Sequence, residues 1–265
     1  MAFWGDYHTH TVYSHGKGTI EENVLRAVKL GMKEIAITDH GFRHMTYNVR
    51  RMDWKIMREE GDFLKIKYPS IKVYLGLETN LSSRRGKADI LPTDMSILDI
   101  VVCGYHKFVL PDRLSDFGMF FLPNFIWGNT EKCSAKLIKR NTDAYIKLLE
   151  KYDIDIVSHI NYGIKADAAE VARACRHFGT YVELNGKRIS MTDKELAVIA
   201  SEGTEFICDS DAHSVNRVGD FSVPVAAVER VGIPYSQIAN WERLPRFRSR
   251  IKKGLYDNAS ASEKP

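Results

Sequence analysis

The sequence lacks the features that mark several classes of protein. Its cysteines number only four, Cys103, Cys133, Cys175 and Cys208. No two of them form a C-x-x-C pair, which excludes a thiolate zinc knuckle and gives no sign of a disulfide framework. The N-terminal MAFWGDYHTH has neither the basic start nor the apolar stretch of a signal peptide, and no apolar run is long enough to cross a bilayer. We therefore expect a cytoplasmic protein with reduced thiols and no membrane partner.

A large excess of one charge is also absent. Lys and Arg number 38 against 34 Asp and Glu, a net charge of +4. Much of the excess lies in residues 242–253, ERLPRFRSRIKK, which favours a solvated terminal helix or tail over a nucleic-acid-binding patch. Hydrophobic residues at 44% and charged residues at 27% are ordinary values for a globular protein. We expect one domain over residues 1–265, with C-terminal helices and this basic tail at 220–265.

Short strand-like runs alternate with longer helical segments along the chain. The first strand is predicted to end at His8 and His10, and the others lie at residues 33–40, 71–80, 98–107, 153–161, 180–187 and 204–213. Helices are predicted from Thr19 to Gly31 and at 49–67, 131–151, 167–178 and 192–202. This order predicts an α/β fold of parallel strands, either closed as a barrel or open as a doubly wound sheet. Both place ligands at the carboxyl ends of the strands.

Polar side chains cluster at those strand ends and in the loop after the first strand, where seven of the nine histidines lie. The candidate metal ligands are His8, His10, His15, His40, Glu78, His106, His159, Asp211 and His213. Imidazole and carboxylate without thiolate suit Zn, Mn or Fe, whereas Ca and Mg prefer mostly oxygen ligands. Because nine ligands are too many for one ion, we expect two to three divalent metal ions. The other histidines, His44 and His177, lie away from strand ends and are not counted as ligands.

The motifs HTHTVYSHG, TDHG and SDAH, together with the histidines at the intervening strand ends, resemble the polymerase and histidinol phosphatase (PHP) superfamily from Asp6 to about Gly219. The resemblance implies a distorted (β/α)7 barrel, similar to a TIM barrel, with a trinuclear metal site at its C-terminal mouth. It implies one metal held by His8, His10, Glu78 and Asp211, a second by Glu78, His106 and His213, and a third by His15, His40 and His159.

Such a metal cluster lowers the pKa of bound water toward about 7 and neutralises charge on a transferring phosphoryl group. We therefore expect an enzyme that hydrolyses a small phosphomonoester through a metal-activated hydroxide, with histidinol phosphate as one candidate substrate. Among the cations that follow strand ends, Lys187 and Arg188 are favoured for binding phosphate. Asp39 is a candidate for orienting a ligand imidazole, and Glu183 and Asn185 are candidates for supporting the site.

Two other functions stay open. A phosphodiesterase or exonuclease acting on nucleotides or nucleic acid ends would agree with the basic tail, although nucleic acid is not the favoured partner. A C–N hydrolase of the amidohydrolase kind would use a bridging lysine, but Lys107 faces the wrong side of an ideal strand. The aromatic insertion at 108–129 is predicted to pack within the domain, with a lid or a subunit contact as the alternatives. The oligomeric state is left open.

Overall fold

Eight strands and nine α-helices make up residues 2–256, the part of the chain that the computed structural model describes; residues 1 and 257–265 of the predicted domain lie outside it. The strands are β1 Gly5–Asp6, β2 Glu34–Ile37, β3 Lys72–Ser83, β4 Lys87–Ala88, β5 Ile100–Gly104, β6 Ile156–Val157, β7 Tyr181–Asn185 and β8 Phe206–Asp209. The helices are α1 Ile20–Lys29, α2 Arg51–Lys67, α3 Leu114–Asp116, α4 Leu122–Trp127, α5 Ala135–Lys151, α6 Ala168–Phe178, α7 Asp193–Ser201, α8 Ser222–Val231 and α9 Arg248–Lys252. Short 3-10 turns occur at Pro92–Ser96, Val215–Arg217 and Tyr235–Gln237, and a π-helical turn at Phe117–Phe121 joins α3 to α4.

The strands form a parallel sheet that nearly closes into a barrel. Their order is β1-β2-β3-β5-β6-β7-β8, and β4 pairs antiparallel with β3 as a hairpin that the sequence pattern did not predict. Beyond the ends of β1 and β8, the His10 amide donates to the Ala212 carbonyl at 2.8 Å, which joins the two edges of the sheet. The barrel is therefore confirmed over the doubly wound sheet. Strand β1 is shorter than predicted, and His8 and His10 lie in the segment just after it.

Side chains alternate between the barrel interior and the layer of helices, as the period of two in a strand requires. On β2, Ile35 and Ile37 pack toward the helices while Ala36 points inward. The interior cluster consists of Tyr7, Ala36, Tyr74, Ile100, Val102, Ile156, Tyr181, Ile207, Ala239 and Phe247. Half of these residues, Tyr74, Ile100, Ile156, Tyr181 and Ile207, lie at or near the beginning of their strands, so apolar side chains fill that part of the barrel. The polar side chains gather beyond the carboxyl ends.

Helix α1 shows how local sequence sets an element that leads away from the site. Thr19 and Glu22 form the expected capping box, in which each side chain accepts a hydrogen bond from the backbone N–H of the other residue. The helix ends before Gly31, whose φ of 73° is the left-handed conformation that glycine adopts most easily. Among residues 2–256, no helix combines the length and apolarity needed to cross a membrane.

The C-terminal segment packs against the barrel, which differs from the predicted solvated tail. The ring of Phe247 fits among those of Tyr7, Tyr74 and Tyr181, at centroid distances of 4.9, 6.3 and 6.1 Å. Arg248 is buried, and its guanidinium pairs with Asp153 at 3.1 Å. The segment stays against the barrel because Phe247, an apolar residue within the basic run 242–253, packs in the barrel interior. The distribution of charge along the sequence does not predict this contact.

The edge strands β1 and β8 are also joined by one side chain from this C-terminal region. The Asn240 amide nitrogen donates to the carbonyls of Gly5 at 2.9 Å and Cys208 at 2.7 Å, and its oxygen accepts from the Cys208 amide at 3.1 Å. Asn240 is fully buried. It therefore replaces, at this point, the direct hydrogen bonds that the two strands do not make.

The aromatic insertion at residues 108–129 is largely helical. Phe120 and Phe121 are buried against Tyr105, with ring centroids 5.7 and 5.8 Å from it. Phe117 and Phe125 each expose 53% of their surface. Packing within the domain thus accounts for part of the insertion, and its other aromatic side chains face outward.

Candidate metal centre

All nine predicted ligands lie together at the carboxyl end of the barrel. Seven of them line a pocket of about 330 Å³, and His8 and His10 lie fully buried beside the same carboxylates. The pocket is lined by His15, His40, His44, Tyr47, Glu78, His106, His159, Tyr162, Asn185, Lys187, Arg188, Asp211 and His213. Parallel strands deliver these residues because their carboxyl ends meet at one mouth.

Glu78, near the middle of β3, is the centre of the cluster. Five imidazole nitrogens lie within 4 Å of its carboxylate. The separations are 2.8 Å to His159, 2.9 Å to His40, 3.4 Å to His8, 3.5 Å to His106 and 3.6 Å to His10. Burial of Glu78 opposes its ionisation, but the neighbouring His106 and His8 hold its pKa well below the usual range. The carboxylate is therefore ionised and shared.

Three groups of side chains bring potential ligand atoms within 4.8 Å of one another. They are His8, His10 and Asp211; His40, Glu78 and His106; and His10, His40 and His213. The ring of His15 lies 4.0 Å from that of His213, and the ring of His159 lies 5.0 Å from that of His106. These neighbours differ from the division that the resemblance implies, in which His213 accompanies His106 and His159 accompanies His15.

The donor atoms fit metal ions better than they fit one another. Among the described residues, Nε2 of His8, both ring nitrogens of His10, Nδ1 of His15 and Oε2 of Glu78 are buried without a hydrogen-bonding partner. Leaving a polar group buried and unsatisfied costs roughly 1–3 kcal/mol. Bound cations would remove that cost for the atoms that ligate them, and His10 can offer one of its two ring nitrogens to a given ion. Nitrogen and carboxylate oxygen donors without sulfur agree with Zn, Mn or Fe.

Neighbouring side chains fix which nitrogen carries the proton in two candidate ligands, His8 and His106. The His8 Nδ1 lies 2.6 Å from the Glu183 carboxylate, which only accepts, so the proton is on Nδ1 and Nε2 keeps its lone pair. Likewise the His106 Nδ1 lies 2.6 Å from Oδ1 of Asn80. The Asn80 orientation is set by Asp89, which accepts from its amide nitrogen at 2.7 Å. Glu183 was a candidate from sequence, whereas Asn80 was missed, although it lies two residues after Glu78 on the same strand face.

Asp39 acts on the loop rather than directly on a ligand ring. Its carboxylate accepts from the Thr11 amide at 2.7 Å and the Thr11 hydroxyl at 2.6 Å, and also from the Ser14 hydroxyl. It lies 4.0 Å from Nδ1 of His10. Burial raises the pKa of Asp39. The side chain thus holds the loop that carries His15.

Lys187 and Arg188, which the sequence favours for binding phosphate, both line the pocket. The Lys187 ammonium lies 2.6 Å from Nδ1 of His213 and 3.3 Å from the Asp211 carboxylate. The Arg188 guanidinium lies 6.0 Å from the ring of Tyr162. Other cations after strand ends pair elsewhere, Arg84 and Arg85 with Asp116 and Arg217 with Asp220.

Sequence reasoning missed three side chains of the pocket wall. They are His44, Tyr47 and Tyr162. The Tyr47 ring stacks on that of His15 with centroids 4.3 Å apart, and the His44 ring lies 5.1 Å from that of His40. His44 was set aside because it does not follow a strand end directly. Its position four residues after His40, in the same loop, was the available signal.

Two candidate ligands have a backbone conformation that side-chain-bearing residues rarely adopt. The φ angles of His159 and Asp211 are 30° and 50°, in the left-handed region. Such residues cost of order 1–3 kcal/mol and are concentrated at functional sites. At His159, the Glu183 carboxylate accepts from the backbone amide at 2.8 Å and helps to hold this conformation.

Comparisons with known proteins find a family, similar sequences and a similar fold. The PHP domain family matches residues 6–191. Two proteins named "probable phosphatase" are similar along most of their length. The one from Shewanella sp. (strain MR-4) is 26% identical over 258 residues, which cover 91% of this chain and 88% of that protein. The one from Thermoanaerobacter sp. (strain X514) is 27% identical over 252 residues, which cover 89% of each chain. The crystal structure of histidinol phosphate phosphatase from Lactococcus lactis, complexed with zinc, L-histidinol and phosphate, has a similar fold, with a TM-score of 0.61 and 15% identity over 93% of this chain and 97% of that chain.

Proposed function

Because the chain belongs to the PHP domain family, we propose that it is a metal-dependent phosphoesterase that hydrolyses a small phosphomonoester. The observation that carries this proposal is the group of buried, unpartnered imidazole and carboxylate atoms around Glu78. They lie beside a pocket that is also lined by the cationic side chains of Lys187 and Arg188. The names of the curated relatives support the same class of reaction.

We propose about two to three divalent ions in the site, divided according to the observed neighbours. The first would be held by His8, His10, Glu78 and Asp211, the second by Glu78, His106 and His159, and the third by His15, His40 and His213. Bound divalent ions would supply a water of lowered pKa and neutralise charge on a phosphoryl group. This division moves His159 and His213 relative to the one that the resemblance implies.

The protein side chains would bind and orient the substrate. Lys187 and Arg188 present positive charge at the pocket wall, which suits the non-bridging oxygens of a phosphomonoester. Tyr47 and Tyr162 offer aromatic surfaces to the group that the phosphate esterifies. A volume of about 330 Å³ is at the small end for ligand pockets and therefore favours a compact substrate. Histidinol phosphate is the first to test, since the Lactococcus lactis protein holds L-histidinol and phosphate.

Metal analysis of the purified protein, combined with a panel of phosphoesters, tests the proposal. The panel contains histidinol phosphate, an aryl phosphate, nucleotides and oligonucleotides. His159→Ala should lower both metal content and turnover, whereas His177→Ala, an exposed histidine on α6, should change neither. Metal near zero in wild-type protein from metal-replete medium would refute the site. Metal without turnover of any phosphoester would refute the reaction class.

A phosphodiesterase is the second candidate function, and one feature favours it. A groove apart from the pocket is lined by Arg84, Arg85, Lys136, Lys139, Arg140, Asp143 and Lys147. Although Arg84 and Arg85 pair with Asp116 and Lys139 pairs with Asp143, cationic side chains outnumber the acidic ones there and would attract a polyanion such as an oligonucleotide. Strongly salt-dependent oligonucleotide binding together with diester cleavage would support this candidate over the monoesterase. The amidohydrolase alternative gains no such support, because the Lys107 ammonium lies over the Phe125 ring, 5.3 Å from its centroid.

A further inference from the structure

We propose that His44 is not a metal ligand but a substrate-binding residue, which donates its Nε2–H to an oxygen of the bound phosphoryl group. The inference rests on the proposed function and deepens it by assigning a neutral hydrogen-bond donor to the oxyanion. His44 lines the same pocket as Lys187 and Arg188, and its ring stacks on that of His40.

The proton position on His44 follows from its neighbours. Nδ1 lies 3.1 Å from the Tyr47 amide nitrogen and 3.3 Å from the Thr46 amide nitrogen. A backbone N–H only donates, so Nδ1 must accept and carries no proton. In the neutral ring the single proton is then on Nε2. The polar atom that His44 can present to the pocket is therefore a donor, with no lone pair for a metal.

The contrast with the ligand rings makes this assignment specific. In His8 and His106 the Nδ1 atoms face acceptors, the Glu183 carboxylate and the Asn80 carbonyl oxygen, at 2.6 Å each. Those two rings therefore keep the proton on Nδ1 and a free lone pair on Nε2. Residues that look alike in sequence are thus divided into ligands and a donor by what faces Nδ1.

The loop that carries His44 is held on both sides, so the donor has a fixed position. The Met45 amide donates to the Phe108 carbonyl at 2.8 Å, and the Leu110 amide donates to the Arg43 carbonyl at 3.0 Å. His44 itself is buried and pairs with Val109. A donor that does not have to reorganise stabilises developing negative charge more effectively than a mobile one.

The test compares wild-type protein with His44→Phe, which keeps an aromatic ring and removes the N–H, and with His177→Phe as a matched control. Each metal-loaded protein is titrated with inorganic phosphate, and its metal content is measured after dialysis. Because a hydrogen bond to a charged group is worth about 1.5–3 kcal/mol, we expect His44→Phe to bind phosphate about 10- to 100-fold more weakly. Its metal content should equal that of the wild type.

Each outcome bears on one proposal. Loss of metal from His44→Phe would make His44 a ligand and overturn the inference, as would unchanged phosphate affinity with metal retained. If His44→Phe does not fold, His44→Gln, which retains a side-chain N–H donor, is measured instead. Loss of metal from His44→Gln would overturn the inference. Retention of both metal and phosphate binding would support it. Wild-type protein that binds phosphate through His44 but hydrolyses no phosphoester would refute the proposed function while leaving the inference intact.

Discussion

Glu183→Gln should weaken metal binding by changing the proton position on His8. The Glu183 carboxylate accepts from His8 Nδ1 on one oxygen, and from the His159 amide and the Asn185 side-chain amide on the other. A glutamine has only one accepting oxygen. If the glutamine NH2 group faced the His159 amide and the Asn185 side-chain amide, donors would face donors at both contacts. The glutamine oxygen should therefore accept from His159 and Asn185, and its NH2 group should face Nδ1 of His8. Nδ1 must then accept, and the proton moves to Nε2, the atom that faces Glu78 and Asp211.

The size of the effect follows from the loss of this one partner. Removing a group that orients a metal-bound histidine typically lowers metal affinity 10- to 100-fold, which is about 1.4–2.7 kcal/mol. The upper half of that range applies here, because the 2.6 Å contact between His8 and Glu183 is fully buried and charge-assisted.

Competition with a chromophoric zinc chelator measures the affinity of the wild type and the variant. Glu205→Gln serves as the control, since Glu205 is exposed and pairs with Arg243 away from the site. In the zinc-loaded proteins, the imidazole nitrogen chemical shifts report independently whether Nδ1 or Nε2 of His8 carries the proton. Equal zinc affinity in Glu183→Gln and wild type, or an unchanged His8 tautomer, would refute the reasoning.

Two further predictions concern stability. Asn240→Ala should lower the free energy of unfolding by about 3 kcal/mol or more in urea titrations, because three buried backbone groups of β1 and β8 lose their partner at roughly 1–3 kcal/mol each; an effect no larger than that of the exposed Asn216→Ala would contradict it. Burial raises the pKa of Asp155 to about 6, so the folded state holds this proton more tightly than the unfolded state, and stability falls as the pH rises from about 4 through 6. Raising the pH from 4 to 7 should therefore shift the difference in free energy of unfolding between wild type and Asp155→Asn by about 2 kcal/mol in favour of the variant, and a pH-independent difference would rule this out.

Much of the fold follows from the sequence because its signals are local. The capping box at Thr19 and the glycine at position 31 are confirmed in the structure, and alternating strands and helices indicated the parallel sheet. The burial of Phe247 and the hydrogen bonds of Asn240 to β1 and β8 were not predicted. Phe247 packs on Tyr7 and Asn240 bonds to Gly5, and both partners lie more than 200 residues earlier in the sequence. No local pattern encodes such contacts.

The candidate site divides in the same way. Residue types at strand ends were enough to nominate nine ligands and to place them at one mouth, and the family and barrel are confirmed. The pattern does not tell which histidines share an ion, because that depends on loop paths such as the one that brings His15 to His213. The pattern set His44 apart from the ligands because it does not follow a strand end, but it did not predict that His44 lies in the pocket wall, which depends on the path of the loop after His40. The cytoplasmic location stays a prediction.

The contact between the edge strands β1 and β8 determines when, during synthesis of the chain, the candidate site can form. His8 and His10 follow the first strand, and Asp211 follows the last, so these three candidate ligands come from opposite edges of the sheet. Asn240 and Phe247, which join and fill the barrel there, are among the last described residues to leave the ribosome. The ion proposed for His8, His10 and Asp211 would therefore tie together two segments about 200 residues apart, and its ligands are all present only after β8 has been made.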